Sequence, residues 1–258
     1  MAGQLTTYTE KKILDHLLKT ASFSPQATVY LGLSTANPLA DGSAWADPTY
    51  TGYARKAITF AAAGSRSIAQ TGDVTFDPCT VGSSTVTYWG IWSLATGGSL
   101  LAYGSFATGK SIVVGNTPSV ASGGITVSLN AGVIFTAMVN SILDWLFRAQ
   151  ALAQPTNVKI ALSTTTPADG GTNITEPAGN NYSQKTFNTW NAAAGNPEAA
   201  TNNGDLVMAT PSGSWGLITY AVVYLDTNPF YYGTVANQTP DNGDTVEWLS
   251  GQFSMSLQ

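Results

Sequence analysis

The hydrophobic positions of this 258-residue chain fall into two periodicities that alternate twice. Ile13, Leu14, Leu17 and Leu18 recur at the three-to-four spacing of one helical stripe, with Asp15, His16 and Lys19 off it. Thr7-Tyr8-Thr9-Glu10 just ahead has the Thr-x-x-Glu spacing of a capping box, so the spacing predicts a helix capped by Thr7. Val139, Ile142, Leu143, Leu146 and Phe147 draw a second stripe, with Thr136 at the capping position. Pro25 and Pro155 follow the two stripes as stop signals.

After each stripe the period shortens to two. Thr28 to Ser34 and Asn157 to Ser163 alternate apolar and polar residues, and Gly, Asn, Asp and Pro clusters separate the later runs. In the first half these runs are Ala54 to Phe60, Asp73 to Phe76, Val86 to Trp92, Leu100 to Ser105, Ser111 to Val114 and Ile125 to Leu129. In the second half they are Leu206 to Met208, Leu217 to Leu225, Phe230 to Val235, Thr245 to Leu249 and Phe253 to Leu257. About seven short strands in each half predict a mainly β fold: two tandem antiparallel β-sandwich, jelly-roll-like domains, each preceded by a short amphipathic helix.

The two halves are copies. Residues 13–38 and 142–167 align without a gap at an offset of 129, with nine identities, where chance gives about one or two. Tyr53 and Lys56 fall on Tyr182 and Lys185, Gly72-Asp73 on Gly204-Asp205, Tyr88 on Tyr220, and Tyr103-Gly104 on Tyr232-Gly233. The expected domains are 1–130 and 131–258.

Composition narrows the function. Only 10% of residues are charged and the net charge is −5, with ten Lys and Arg spread over both copies. Counterion release on nucleic acid needs several cations on one face, so no nucleic-acid partner is expected. The Arg55-Lys56 pair reads as a solvated strand edge. Cys79 is the single cysteine, which rules out an internal disulfide and a thiolate zinc site. The first ten residues lack a basic and then apolar signal segment, and the longest apolar stretch, Ala131 to Val139, is too short to span a bilayer. Synthesis in a host cytoplasm without a signal peptide, and no membrane insertion, are the expectations.

Few residues offer chemistry. Gly104 to Ser111 matches the GxxxxGKS phosphate-loop pattern, but a β-branched run and a turn follow it instead of a helix, and the second copy lacks Gly-Lys. A hairpin with a polar loop is the reading adopted. His16 is the sole histidine and aligns with Trp145, which suits an interface or packing position more than a catalytic one. Asp15 and Asp144 are the best-matched carboxylates, read as helix-surface or interface residues rather than a glycosidase pair. Asp241-Asn242-Gly243-Asp244 is read as a hairpin turn, not a calcium loop. The sequons at Asn173, Asn181 and Asn237 carry no weight without a secretory signal. No catalytic, cofactor or metal residue is assigned. Aromatics remain: Tyr88, Trp89 and Trp92 in one copy, Trp215, Tyr220, Tyr224, Phe230, Tyr231 and Tyr232 in the other. Core filling is favoured for most of them, and His16, Trp145, Trp89, Trp92, Tyr231 and Tyr232 are the interface candidates.

The runs Leu5 to Leu18, Ala27 to Thr35, Gly52-Tyr-Ala-Arg55, Tyr88-Trp-Gly-Ile91 and Leu101-Ala-Tyr-Gly104 resemble small structural proteins of tailed bacteriophages, of the tail-fibre, virion-associated or capsid-decoration kind. The second copy departs at Asn181-Tyr-Ser-Gln184 and Tyr220-Ala-Val-Val223. The resemblance implies a non-enzymatic virion protein that docks on capsid or tail subunits. A homo-oligomer is expected with it, a trimer giving six similar domains that suit sixfold or hexameric partners. A carbohydrate- or receptor-binding module at a fibre tip, meeting host surface glycan, stands as the alternative, and a glycan depolymerase as the second.

Overall fold

The computed structural model describes residues 2–130, 132–195 and 197–257. Ala131, at the expected boundary between copies, lies outside the described residues, as do Met1, Asn196 and Gln258. The fold is mainly β, with two helices among the described residues, α1 (Thr7–Leu17) and α2 (Thr136–Arg148). Neither is long and apolar enough to cross a membrane.

The chain forms two compact units. The first comprises Met1–Glu10, Ser24–Asn130 and Asn140–Leu152, and the second Lys11–Phe23, Ala131–Val139 and Ala153–Gln258. Each unit therefore includes the body of the helix that belongs, by sequence, to the other copy.

The first unit carries β1 (Ala2–Leu5), β2 (Val29–Ser34), β3 (Lys56–Phe60), β4 (Ser67–Thr71), β5 (Val74–Thr75), β6 (Ser83–Trp92), β7 (Leu100–Val113), β8 (Ser119–Val120) and β9 (Thr126–Ser128). Seven of these close into a barrel in the order β1-β7-β6-β2-β3-β4-β9, and β5 with β8 make a separate ribbon. The expectation of a sandwich or jelly roll is corrected here: the sheet closes on itself. β1 makes the closure, pairing antiparallel with β7 and parallel with β9, so that neither edge is left open.

Glycines decide how the barrel packs. Cross-strand register puts Leu33, Trp89 and Gly104 in one row, and Gly3 completes it beside Gly104. The Trp89 indole is fully buried across both glycines: a Cβ on Gly104 would stand 2.5 Å from it, and one on Gly3 2.2 Å. The next row, on the opposite face, has Gly32 beside Gly90. Trp45 and Trp92 lie over this pair, with Trp45 only 2.5 Å from a Cβ built on Gly90.

The second unit holds β10 (Val158–Ser163), β11 (Lys185–Thr186), β12 (Ala194–Gly195), β13 (Glu198–Thr201), β14 (Leu206–Val207), β15 (Ile218–Leu225), β16 (Asn228–Gln238), β17 (Glu247–Trp248) and β18 (Ser254–Ser256). Its sheets run β11-β10-β15-β16, β12-β13-β18 and β14-β17, the strand order of the barrel with its seams loosened. Among the described residues the counterpart of β1 is reduced to one bridge, Ile134 to Tyr231, and the β3–β4 seam to one bridge, Trp190 to Asn202. Side-chain volume is redistributed accordingly. Trp89 is replaced by Ala221, Gly32 and Gly90 by Ala161 and Val222, and the rings above them by Ile174 and Tyr224, which pack on that floor with Phe135 and Tyr232.

Identical polar braces recur in both units. Gln70 is buried, its Oε1 accepting from Ile125 N at 3.1 Å and its Nε2 donating to Gly72 O at 2.8 Å. Asn202 does the same with Phe253 N at 2.9 Å and Gly204 O at 2.8 Å. The Tyr53 hydroxyl accepts from Leu33 N, and Tyr182 from Leu162 N, both at 2.9 Å. Such buried bonds fix backbone that would otherwise lose its water partners unreplaced.

Helix capping differs from the sequence expectation by one residue. Thr6, not Thr7, caps α1: its buried hydroxyl accepts from Thr9 N at 3.3 Å and donates to Leu100 O at 2.7 Å. In α2 Phe135 stands where Thr6 does, and the Asp169 carboxylate supplies the cap, accepting from Thr136 N at 3.2 Å and from the Thr136 hydroxyl at 2.6 Å.

Candidate functional site

The GxxxxGKS segment has no phosphate-loop geometry. Gly104 to Ser111 lies inside β7, whose partner is β6, with Tyr88 opposite Ser105 and Val86 opposite Lys110 across a register jump. The expected polar loop is a bulged strand instead. Gly104 is small to admit Trp89, and no helix follows whose N-terminal amides could hold an anion. Lys110 instead borders a hollow of about 420 Å³ with Leu33, Phe76, Val86, Phe106 and Ile112 on its walls.

Asp15 and Asp144 serve two different loops. In the second unit the Asp15 Oδ1 accepts from Ala193 N at 2.8 Å and from the Thr20 hydroxyl at 2.8 Å, while Oδ2 pairs with Lys11 at 3.1 Å. In the first unit Asp144 Oδ1 accepts from Ala63 N at 2.9 Å and meets Arg148 at 3.0 Å. Each carboxylate thus tethers a loop to a helix. The 241–244 turn spends its carboxylates on itself, Asp244 Oδ2 accepting from Asp241 N and Asp241 Oδ1 from Asn242 N, both at 2.8 Å.

The interface candidates divide by burial. His16, Trp145 and Trp89 are 5%, 4% and 0% exposed, so the isolated chain presents almost none of their surface to a partner. His16 Nδ1 accepts from Phe23 N at 3.2 Å, which ties the residues after α1 to the helix end. Trp92, Tyr231 and Tyr232 are half-buried and keep an outer edge. The Tyr232 hydroxyl donates to Gly132 O at 3.1 Å, and burial pushes the Tyr231 phenol pKa up.

Around Trp92 the first unit builds a half-buried aromatic corner that the sequence reading missed. The Arg55 guanidinium lies 3.5 Å from the Trp92 ring centre and donates to Gly97 O at 2.7 Å. Trp45 meets Trp92 edge-on at 5.1 Å and donates its indole N–H to Asp47 Oδ1 at 2.7 Å. Partial burial lowers the Arg55 pKa, countered by the Asp47 carboxylate. Arg55 is thus the clamp on an aromatic stack rather than a free strand-edge charge. Its partners Trp45 and Trp92 lie 10 and 37 residues from Arg55 along the chain, and only cross-strand register, which sets Gly32 beside Gly90 beneath them, brings the three together. A second outward feature is apolar. Val81, Val113 and Val114 are 63%, 47% and 61% exposed at the open end of the β6–β7 hairpin, where Ser83 pairs with Val113.

Comparison with known families matches both copies to one description, podophage GP4 fiber I protein gp80, over residues 4–128 and again over 134–256. The chain belongs to this family. The gp80 match covers nearly the whole sequence in two tandem passes, which agrees with the duplication read from the 129-residue offset. It also agrees with the resemblance to phage structural proteins carried by the first-copy motifs. No curated protein matches the chain. As a member of the gp80 family the chain is a phage virion fibre protein, and its aromatic corner and valine shelf are surfaces of such a component.

Proposed function

We propose that this protein is a non-enzymatic fibre subunit of a phage virion that acts by docking on other virion proteins, its two repeats spanning 1–130 and 131–258. The observation that carries this reading is the fibre-family match over both repeats. The valine shelf supports docking, since exposed branched apolar side chains gain most when a partner covers them. The subunit assembles as a trimer, so that six repeats face a sixfold partner. It is made in the host cytoplasm and reaches the outside in the particle.

Gold-tagged antibody against the protein, imaged on intact particles, tests the placement. Gold on tail-proximal fibres is the expected result. Gold scattered over the head supports a decorating role in its place, and bare particles overturn the virion reading. Light scattering on the purified chain is expected to give the mass of three chains, and a monomer at all concentrations overturns the trimer. Incubation with host envelope glycan is expected to release no reducing sugar.

A further inference from the structure

The second unit has an open hollow of about 590 Å³ that no part of the docking reading uses. Its walls come from the loop after β10 and from β15 and β16, and they carry Thr164, Thr166, Thr219, Thr234, Asn237 and one aromatic ring, Tyr220. No charged side chain lines it among the described residues. Several polar groups of the wall are held in place by their own bonds. The Thr166 hydroxyl meets the Tyr220 hydroxyl at 3.3 Å, Thr164 Oγ1 donates to Thr175 O at 3.1 Å, and Asn173 Nδ2 donates to Thr166 O at 2.8 Å. Tyr220 is half-buried, with Tyr232 6.3 Å away between ring centres, so its ring is fixed while one side still meets solvent.

A wall of hydroxyls and amides around one ring has a definite chemical complement. The ligand must present many neutral donors and acceptors, together with an apolar C–H face for the ring. Phosphates and carboxylates find no cation here, and the chain's net charge of −5 repels them further. An apolar ligand would strand the hydroxyls without partners. A neutral pyranose meets every condition, and the volume admits one or two sugar units.

We propose that this hollow is a binding site for a neutral carbohydrate, with Tyr220 as the stacking platform and Thr219, Thr234 and Asn237 as hydrogen-bonding partners. The loop wall of the site is braced by Thr165, whose hydroxyl donates to Asn173 O, and by Asn173, whose amide donates to Thr166 O, and the first repeat lacks both side chains. At the equivalent positions the first repeat keeps Thr87, Tyr88 and Ser105 but has Ala36 for Thr165 and Ala44 for Asn173. Tyr88 therefore provides an internal control.

The full chain is titrated with maltohexaose, cellohexaose, xylohexaose and mannohexaose, with hexagalacturonate as the anionic comparison, by saturation-transfer NMR and calorimetry. At least one neutral oligosaccharide is expected to bind. Tyr220→Ala is expected to weaken it by about tenfold or more, while Tyr88→Ala leaves it unchanged. Thr234→Trp, on an exposed rim position, fills the hollow without removing the ring, and it is expected to abolish binding with an unaltered melting temperature. That variant decides the matter if Tyr220→Ala does not fold. Binding of none of the neutral probes, preference for hexagalacturonate, or binding that survives Thr234→Trp overturns the proposal. None of these outcomes bears on whether the protein is part of the virion, which the gold labelling tests separately.

Discussion

At the scale of single residues, the two repeats show the same positions solved with different volumes. Gly104 and Gly233 are aligned, yet only the first faces an indole, because Trp89 in one repeat is Ala221 in the other. A methyl group on Gly104 would stand 2.5 Å from Trp89, whereas on Gly233 the nearest atom is 3.6 Å away on Tyr231. Gly104→Ala should lower stability by about 2 kcal/mol, as overpacked cores do. Gly233→Ala should stay within about 0.5 kcal/mol of the parent. Urea denaturation of the two variants checks this, and equal effects would show that the Trp89 row does not govern the barrel. Sequence could locate both glycines, but it could not say which one had a ring against it. That depends on cross-strand register, and register is set by pairing between residues far apart in the chain.

At the scale of elements, each helix is fastened by its aspartate to a loop amide. Asp15, with its side chain 6% exposed, bonds one amide, the Thr20 hydroxyl and Lys11, whereas Asp144 is 21% exposed and bonds one amide and one arginine. Removing a buried acceptor leaves its donors unpaired, while water replaces a more exposed one. Asp15→Ala is therefore expected to cost about 3 kcal/mol and Asp144→Ala about 1 kcal/mol, measured from denaturation midpoints. The reverse order would contradict this account of the tethers. The β2 and β10 strands are fastened by tyrosines. Burial holds the Tyr53 and Tyr182 phenols well above their ordinary range near 10. The unfolded chain releases these protons at a pH where the folded chain still holds them, so the stabilisation is complete below about pH 10 and is lost as the pH rises further. Melting temperature should fall above about pH 10, and less steeply in a Tyr53→Phe, Tyr182→Phe double variant. A slope unchanged by the double substitution would assign the alkaline loss to other groups. The helix stripes, the repeat and the strand runs were legible because local periodicity reports burial directly. Barrel closure was not, since it rests on β1, four residues whose parallel pairing with β9 joins the two ends of the first copy.

At the scale of the whole molecule, the compact units do not use contiguous chain. The first unit takes in Asn140–Leu152, where Phe147 meets Phe60 at 5.3 Å, Asp144 holds Ala63 N and Asn140 Oδ1 accepts from Arg66 N at 3.1 Å. A fragment ending at Asn130 lacks all three partners. It should unfold without a sharp transition, and extension to Leu152 should restore one, as thermal melting followed by circular dichroism would show. A cooperative, monomeric 1–130 fragment would mean that these contacts are dispensable. The proposed trimer and the proposed sugar-binding hollow belong to the same scale, because both ask what the surfaces meet.

By itself the sequence determined the duplication, the two helices, the mainly β character of each copy with its longer strands, the absence of a phosphate-loop context around Lys110, and the phage structural family, since all of these are written in local spacing or in motif identity. It showed no strand at β4 or β13 and split β7 in two. Only the tertiary structure decided that the first sheet closes into a barrel, that Thr6 and Asp169 cap the helices, and that each helix body lies in the unit built mainly from the other copy. It also decided that Trp89 is enclosed while Trp92 keeps an outer edge and Tyr220 borders an uncharged hollow. These depend on which distant residues share a cross-strand row, and periodicity along one chain carries no information about the partner that register brings alongside it.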